Sequence, residues 1–248
     1  MKPILFSIVT IAYNAEKTIE RTLKSVAEQD YPHIEYIIVD GASKDETLAL
    51  VEKYKQVVTR VVSEPDRGIY DAMNKGLALC GGDYVCFLNA GDTFSAPDTL
   101  STAIKAIVNY STIPDLIYGD TAIVDNEGKF LHLRTHRPPE RLTWKSFKWG
   151  MLVCHQAFWV KREKTQTYDL QYRFSADVDW CIRVLKQVNT SLFLPYPVIN
   201  YLHEGATTKN HRASLKERFR IMCKHYGCFS TFLLHLCFFL RVIFRKIK

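Results

Sequence analysis

The chain has 248 residues, 47% of them hydrophobic, which is ordinary for a globular protein and excludes wholesale disorder. This length suits one sizeable domain or a domain with a small appendage. A formal net charge of +7 indicates an anionic partner, such as nucleic acid, nucleotide phosphates or an acidic membrane surface. The seven cysteines include no Cys-x-x-Cys pair, which predicts free, buried thiols and a reducing compartment.

The first hundred residues alternate between strand and helix patterns. The N-terminal apolar run is too short for a signal peptide and predicts a strand instead. The second helix is predicted to open at Ser43, with a capping box that ends at Glu46, and to continue to about Tyr54. In chain order the segments are strand LFSIVTIAY, helix NAEKTIERTLKSVAEQDYP, strand IEYIIVDG, helix SKDETLALVEKY, strand VVTRVVSE, helix GIYDAMNKGLALCGG and strand YVCFL.

This alternation, with strands that are apolar on both faces, predicts an α/β fold with a mostly parallel sheet and helices on both faces. Ligands bind such sheets at the carboxyl ends of the strands. Acids follow three of these ends, namely Asp40, then Glu64 and Asp66, then Asp92. One acid at a strand end is commonly a turn former or a helix cap, but three at one edge indicate a site.

The second half is less regular. The segment DLIYGDTAIVDNEGKFLHLR predicts two strands around a turn, and SADVDWCIRVLKQ predicts a helix with one apolar stripe. No internal repeat, low-complexity tract or linker is visible. We therefore expect one domain over residues 1–228 and a C-terminal apolar and basic helix over residues 229–248.

Several functional classes are excluded by missing motifs. The sequence has no G-x-G-x-x-G after a strand and no G-x-x-x-x-G-K-[ST], which argues against dinucleotide and P-loop sites. Its basic residues are dispersed and its cysteines lack zinc spacing, so nucleic acid is not an expected partner. The feature that still needs an explanation is the predicted sheet edge, which carries separated acids and an arginine, Arg67. One carboxylate there can bind Mg²⁺ or Mn²⁺ beside a diphosphate, and a second can accept a proton from an attacking hydroxyl.

Two segments carry a family resemblance: SIVTIAYNAEKTIERTLKSVAEQDYPHIEYIIVDGASKDET and SEPDRGIYDAMNKGLALCGGDYVCFLNAGD. They resemble the family 2 glycosyltransferases of bacterial polysaccharide synthesis, densely over residues 5–100 and more loosely to about residue 190. The resemblance implies a GT-A fold, a nucleotide-diphosphate sugar donor (a UDP-sugar above all), a divalent cation (Mn²⁺ or Mg²⁺) and inversion at the anomeric carbon. It also implies a donor-binding half at 1–100 and an acceptor-side half at 101–210.

Carried over by position, the resemblance assigns a role to ten residues. It implies that Asp177 is the catalytic base and that Asp92 binds the metal. It implies that His155 and Gln156 lie on the acceptor side. The donor-binding residues that it implies are Thr10, Tyr13, Asn14, Asp40, Asp66 and Arg67.

The sequence departs from the family pattern at Asn89 and Gly91, where many relatives have aspartate, and at Ala176, where relatives often have glutamate. For some of these residues, a purely structural role is the alternative to the assigned one. Asp92 can start a turn or cap a helix, Asp177 can be an N-cap, and Asp179 is a rival base. His155 can be a structural histidine.

For several other residues the sequence is compatible with either a structural or a functional role. Ser43 is expected to cap a helix. His203 and Glu204 either belong to a plain loop or close over the diphosphate and complete metal coordination. Three tryptophans either pack in the core or stack on acceptor sugars: Trp144, Trp149 and Trp159.

The tail FSTFLLHLCFFLRVIFRKIK is too short in its apolar part to span a bilayer. Basic residues follow the apolar part, namely Arg241, Arg245, Lys246 and Lys248. This pattern is typical of a helix in an anionic membrane interface, although packing on the domain or in a dimer is the alternative. We expect a peripheral protein on the cytoplasmic face of the cell membrane that transfers one sugar to a lipid-linked saccharide.

Two other functions fit the sequence less closely. One is a catalytically impaired homologue that binds a nucleotide sugar and scaffolds an assembly complex. The other is a membrane-associated binding protein whose sheet is only structural.

Overall fold

In the computed structural model, which describes residues 2–110, 112–203 and 211–236, the chain folds around a mixed sheet of nine strands. The strands are β1 (Phe6–Ala12), β2 (Ile34–Asp40), β3 (Arg60–Ser63), β4 (Tyr84–Phe87), β5 (Thr93–Phe94), β6 (Leu116–Val124), β7 (Phe130–Leu133), β8 (Phe158–Lys161) and β9 (Ser191–Leu202). The helices are α1 (Ile19–Ala27), α2 (Thr47–Lys53), α3 (Ile69–Leu79), α4 (Thr99–Val108), α5 (Ala176–Leu185) and α6 (His211–Tyr226). Residues 228–236 are also helical, and short 3₁₀ helices lie at Trp144–Trp149, His155–Ala157 and Arg162–Lys164.

The strand order across the sheet is β3-β2-β1-β4-β8-β6-β9-β5, with β7 paired to β6. Strands β1 to β4 are parallel to one another, β8 is antiparallel to both of its neighbours, and β6 and β9 are parallel. The carboxyl ends of β1, β2, β3, β4, β6 and β9 therefore meet at one edge of the sheet. The predicted mostly parallel α/β fold is confirmed.

The central strands form because their side chains are apolar on both faces. Every residue of β1 is buried, as expected for a strand that is covered by helices on both sides. Helix α3 packs closely on this part of the sheet at Gly76, where an added Cβ would lie 2.4 Å from Val9 Cγ1. A glycine is required there because the helix backbone approaches the sheet.

The predicted capping box at Ser43 is wrong. Helix α2 begins at Thr47, four residues later, and Glu46 at its N-cap makes no capping hydrogen bond through its side chain. The Ser43 hydroxyl donates to the carboxylate of Asp40 instead. Asp45 accepts the Thr47 N–H at 3.1 Å, so a different acid satisfies the first turn.

Helix α6 is attached to the domain through α5. The carboxylate of Glu217 accepts the N–H groups of Arg173 at 2.8 Å and Phe174 at 2.7 Å, just before α5 begins. Trp144 stacks on Tyr226 at the end of α6, with ring centroids 5.6 Å apart. These contacts fix the start of α5, which carries the predicted catalytic base.

The tryptophans at issue differ in environment. Trp159 is fully buried, so the packing interpretation holds for it, and Trp149 is half exposed. Among the cysteines in the described ranges, six are free and four of these are buried. Within the same ranges, no helix has the length and apolarity that crossing a membrane requires.

Candidate active site

A cleft of about 1030 Å³ opens at the carboxyl edge of the sheet. One wall consists of the loops that follow β1, β2, β3 and β4, and the other of the 3₁₀ segment before β8, the start of α5 and the end of β9. Pockets for small molecules occupy roughly 300–1000 Å³. The cleft therefore has room for a nucleotide sugar and part of a second substrate.

Tyr13 and Asn14 lie at the end of the cleft that follows β1. Tyr13 is 64% exposed, so its ring can stack on a flat ligand group. Asn14 has a left-handed φ of 46°, which asparagine tolerates better than most residues. Its N–H donates to Ser43 Oγ at 2.8 Å, and its Oδ1 accepts the Lys44 N–H at 2.9 Å. Asn14 thus shapes this loop, while Tyr13 presents its ring.

Asp66 and Arg67 have different environments. Asp66 lines the cleft, and its Oδ1 accepts the Gly68 N–H at 2.7 Å. A Cβ at Gly41 would lie 2.5 Å from Asp66 Oδ2, so the Asp66 carboxylate lies directly against the backbone that follows β2. The Arg67 side chain is 78% exposed and pairs with Asp71 at 3.1 Å. Arg67 is not among the cleft-lining residues.

Thr10 and Asp40 are buried and do not line the cleft. The Thr10 hydroxyl donates to the Leu88 carbonyl at 2.7 Å and joins β1 to the chain after β4. The Asp40 carboxylate accepts hydrogen bonds from the Ser43 N–H at 2.9 Å and the Ser63 hydroxyl at 2.6 Å. In this structure both residues hold the loops in place and are not exposed to a ligand.

Asp92 lines the cleft and is only 4% exposed. Its Oδ1 accepts the Leu202 N–H at 3.0 Å, and its Oδ2 accepts a hydrogen bond from Gln156 Nε2 at 2.8 Å. Burial raises the pKa of Asp92 to about 7, although both hydrogen bonds oppose that shift. A bound cation would favour the charged form of this carboxyl.

Few side chains in the cleft are suited to act as ligands of a metal cation. In the described part of the chain, no group of three or more His, Cys, Asp or Glu side chains is arranged to hold a metal ion. The Oδ1 atom of Asn89 is buried, and it has no hydrogen-bond partner among the described residues. Asn89 and Asp92 both line the cleft, and hard cations such as Mg²⁺ accept amide and carboxylate oxygens. These two residues fit a cation whose other ligands come from a diphosphate.

Asp177 is the second residue of α5 and lines the cleft opposite the nucleotide-side loops. The Tyr70 hydroxyl donates to Asp177 Oδ1 at 2.9 Å, which orients the carboxylate. The Tyr70 ring stacks on Tyr168 at 5.5 Å between centroids. Burial raises the pKa of Tyr70 well above its usual value, so Tyr70 remains a donor. Asp177 is half-buried and open to the cleft.

Asp179, the rival base, is in a different environment. It is fully buried and lies outside the cleft lining. Its carboxylate contacts Arg183 at 2.6 Å, His225 at 2.8 Å and Lys224 at 3.1 Å. Burial acts to raise its pKa, but these hydrogen bonds and charges together outweigh it and hold the pKa well below the usual range. Asp179 therefore joins α5 to α6.

His155 and Gln156, which were predicted to lie on the acceptor side, line the cleft. The imidazole of His155 stacks on Phe87 and hydrogen-bonds the Tyr168 hydroxyl through Nε2. Burial lowers the pKa of His155 to about 4, so its ring is neutral at pH 7. Gln156 is buried, and its amide is bonded to Asp92. The structure thus gives Gln156 a contact with the predicted metal-binding acid.

Several cleft residues were not predicted from the sequence: Asn89 as a ligand, Tyr70, Arg134, Tyr201 and Arg218. The Nε atom of Arg218 is buried, and it has no hydrogen-bond partner in the described ranges. Arg218 lies on α6, whose amphipathic pattern carries several basic residues and gives no signal that distinguishes this one. His203 lines a neighbouring groove, and Glu204 lies outside the described residues.

The sequence is similar to those of known proteins. Residues 7–168 match the model of the family described as glycosyl transferase family 2. The chain is 30% identical over 228 residues to a PGL/p-HBAD biosynthesis glycosyltransferase of Mycobacterium bovis, covering 85% of this chain and 78% of that protein. It is 33% identical over 214 residues to the amylovoran biosynthesis glycosyltransferase AmsB of Erwinia amylovora, covering 81% and 70%.

Two solved structures share the fold. Residues 1–349 of S. aureus TarS in complex with UDP-GlcNAc align with a TM-score of 0.70 and 21% identity, over 88% of this chain and 64% of that chain. The mannosyltransferase PcManGT of Pyrobaculum calidifontis, in complex with GDP-Man and Mn²⁺, aligns with a TM-score of 0.67 and 20% identity, over 95% and 71%. These likenesses confirm the predicted GT-A architecture. By its family match and its curated relatives, the chain belongs to glycosyl transferase family 2.

Proposed function

We propose that this chain is an inverting glycosyltransferase that moves one sugar from a nucleotide-diphosphate sugar to a hydroxyl of a saccharide acceptor in cell-surface polysaccharide synthesis. The observation that carries the proposal is that Asp92 and Asp177, which are far apart in the sequence, line one cleft. Tyr13, Asn14 and Asp66 line its other end. A nucleoside at that end would direct its diphosphate and sugar towards the two acids.

Asp177 acts as the general base. It takes the proton of the acceptor hydroxyl as that oxygen forms a bond to the anomeric carbon of the donor sugar. The bond from this carbon to the diphosphate breaks, and its electron pair leaves with the phosphate oxygen. Attack from the face opposite the leaving group inverts the anomeric configuration. Tyr70 keeps the Asp177 carboxylate oriented towards the cleft through its hydrogen bond to Oδ1. Positioned general bases contribute roughly 10²–10⁴-fold to a rate.

The leaving diphosphate needs positive charge beside it. Asp92 and Asn89 would hold a divalent cation, Mn²⁺ or Mg²⁺, which when bound neutralises charge on the diphosphate. Gln156 keeps Asp92 aligned by its hydrogen bond to Oδ2. Arg218, whose buried Nε has no partner in the described ranges, supplies a guanidinium from α6 to the same cleft. Arginine suits this role because its planar donors match phosphate oxygens.

We propose that the acceptor is lipid-linked and that the protein acts at the inner face of the cell membrane, where nucleotide sugars are available. The helical residues 228–236 support this, since Phe229 is 79% exposed and Phe232 is 60% exposed. Leu233 and Leu236 are exposed on the same helix. An exposed apolar helix of this kind can lie in a membrane interface. The basic residues at 241, 245, 246 and 248 lie outside the described residues.

The purified full chain tests the proposal in a screen of nucleotide sugars, with Mn²⁺, Mg²⁺ or a chelator. We expect one donor class to raise the melting temperature, and the cation to increase that effect. Incubation of this donor should release nucleoside diphosphate by transfer or slow hydrolysis, and the anomeric configuration of the released sugar should be inverted in its NMR spectrum. Binding without any turnover, or retention of configuration, would overturn the proposed activity.

A further inference from the structure

A second cavity, of about 260 Å³, lies next to the cleft and is named here the basic groove. Its lining comprises Ile123, His132, Arg134, Thr135, His136, Tyr201 and His203. Three of these residues, Ile123, Arg134 and Tyr201, also line the cleft, so the two cavities are contiguous. The lining that the structure describes includes one arginine and three histidines, and no acid. Such a composition favours an anionic ligand.

The groups in the basic groove are suited to phosphate. Arg134 Nη1 donates to the His136 carbonyl at 2.8 Å, which fixes the guanidinium beside the cavity. A guanidinium has five donors, so others remain available to phosphate oxygens. His132 Nδ1 contacts the Leu133 carbonyl at 2.9 Å. Since a carbonyl only accepts, Nδ1 carries a proton, and the ring donates to a phosphate oxygen through Nε2 as an imidazolium. The hydroxyl of Thr135 is a further donor.

The basic groove lies away from the predicted position of the donor diphosphate. Tyr13 and Asp66 follow β1 and β3, and Asp92 follows β4. The groove is built from the ends of β6, β7 and β9 and from the chain after β7. Strand β8 separates β4 from β6 in the sheet. An anion in the groove is therefore on the side of the cleft opposite the nucleotide, where the second substrate must enter.

We propose that the basic groove binds a phosphate group of the acceptor, so that the acceptor is a phosphorylated saccharide whose free hydroxyl faces Asp177. This inference rests on the proposed glycosyl transfer and specifies the substrate class of that site. Arg134, shared by both cavities, contacts the phosphate from the cleft side. His132 and His136 contact it from the solvent side. A prenyl diphosphate and a polyol phosphate are two sources of this group.

The test uses the full chain saturated with UDP and Mg²⁺, so that the nucleotide occupies the donor position. Farnesyl diphosphate and glycerol 3-phosphate are the probes, and isothermal titration measures their affinities. The variants are Arg134→Ala and the double variant His132→Ala/His136→Ala. His33→Ala is the matched control, because His33 is an exposed histidine that precedes β2 and lies outside the groove.

We expect at least one probe to bind the UDP-loaded wild type, and each groove variant to weaken it by roughly tenfold or more, since hydrogen bonds to charged groups are lost. The control should bind like the wild type, and the histidine double variant should retain its UDP affinity. Binding of farnesyl diphosphate alone identifies a lipid diphosphate, and binding of glycerol 3-phosphate alone identifies a polyol phosphate. Absence of probe binding while UDP binds, or equal affinity in all variants, overturns the inference. If the wild type does not bind UDP at all, this result would instead count against the proposed donor site.

Discussion

The burial of Asp92 predicts a measurable loss of stability in the protein without metal. Its pKa is raised from 3.8 to about 7 by burial. The folded state therefore holds this proton more tightly than the unfolded state does. This group's contribution to stability is fully present below pH 4 and is lost as the pH rises from about 4 to 7. The rise of the Asp92 pKa from 3.8 to about 7 sets an upper limit of about 4 kcal/mol on this contribution to the free energy of unfolding, since a tenfold change in an equilibrium constant corresponds to about 1.4 kcal/mol.

The substitution Asp92→Asn removes this titration and keeps an oxygen that can accept the Leu202 N–H. At pH 8 in a chelator, we expect the variant to be more stable than the wild type by about 1–4 kcal/mol, because the wild type must bury a charge. Near pH 4 the difference should disappear. Urea denaturation monitored by fluorescence at pH 4, 6 and 8 measures both free energies of unfolding.

Two additions make the test of Asp92 specific. In the presence of UDP, which supplies a diphosphate, adding Mn²⁺ at pH 8 should stabilise the wild type further and should have no such effect on Asp92→Asn, since the cation neutralises the carboxylate. Asp98→Asn, at an exposed acid before α4, is the control and should follow the wild type. If the wild type and Asp92→Asn have the same dependence of stability on pH, the assignment of a costly buried charge to Asp92 is refuted.

Three further substitutions test other parts of the site. Asp179→Ala leaves three basic partners without their buried carboxylate and should lower the free energy of unfolding by about 3 kcal/mol at pH 7. The loss should shrink as the pH falls below about 4. The pKa of Asp179 is lower in the folded state than in the unfolded state, so its stabilising effect is fully present above the unfolded-state pKa and is lost as the pH falls below it. A urea midpoint at pH 7 equal to that of the wild type would contradict this prediction. Tyr70→Phe removes the hydrogen bond that orients the Asp177 carboxylate, so kcat should fall by roughly tenfold with the KM for the donor unchanged, and a kcat equal to that of the wild type would contradict this role. Arg218→Ala should lower kcat/KM for the donor by about tenfold, with partial recovery in Arg218→Lys; full activity in both would exclude Arg218 from phosphate binding.

Much of the first half of the fold can be predicted from sequence because its strands are buried on both faces. The run from Phe6 to Ala12 is apolar enough to be recognised without its neighbours, and every residue in it is buried. The start of α2 could not be predicted correctly. Its capping depends on whether Ser43 bonds the helix or Asp40, and local pattern does not distinguish the two.

The site could be predicted in part. Asp92 is an acid at a predicted strand end, Asp177 was assigned by the family resemblance, and both line the cleft. The roles of Thr10 and Asp40 depend on partners in other strands, which spacing along the chain does not reveal. The contact of Gln156 with Asp92 is likewise a product of the folded sheet.

Other cleft residues gave no signal in the sequence. Arg218 belongs to a helix with several basic residues, and only its buried, unpartnered Nε in the described chain distinguishes it. The histidines of the basic groove, His132 and His136, come from a strand end and a following turn. They come together with His203 only because β6, β7 and β9 are adjacent in the sheet.

The most direct test of the central claim is the transfer rate of Asp177→Asn. Asparagine keeps an oxygen that can accept the Tyr70 hydroxyl, so the cleft should remain intact, but it cannot take a proton at neutral pH. With the donor identified by the screen, we predict that kcat falls by roughly 100-fold or more while donor affinity stays within about twofold of the wild type. A variant that turns over at a rate close to that of the wild type would contradict the account.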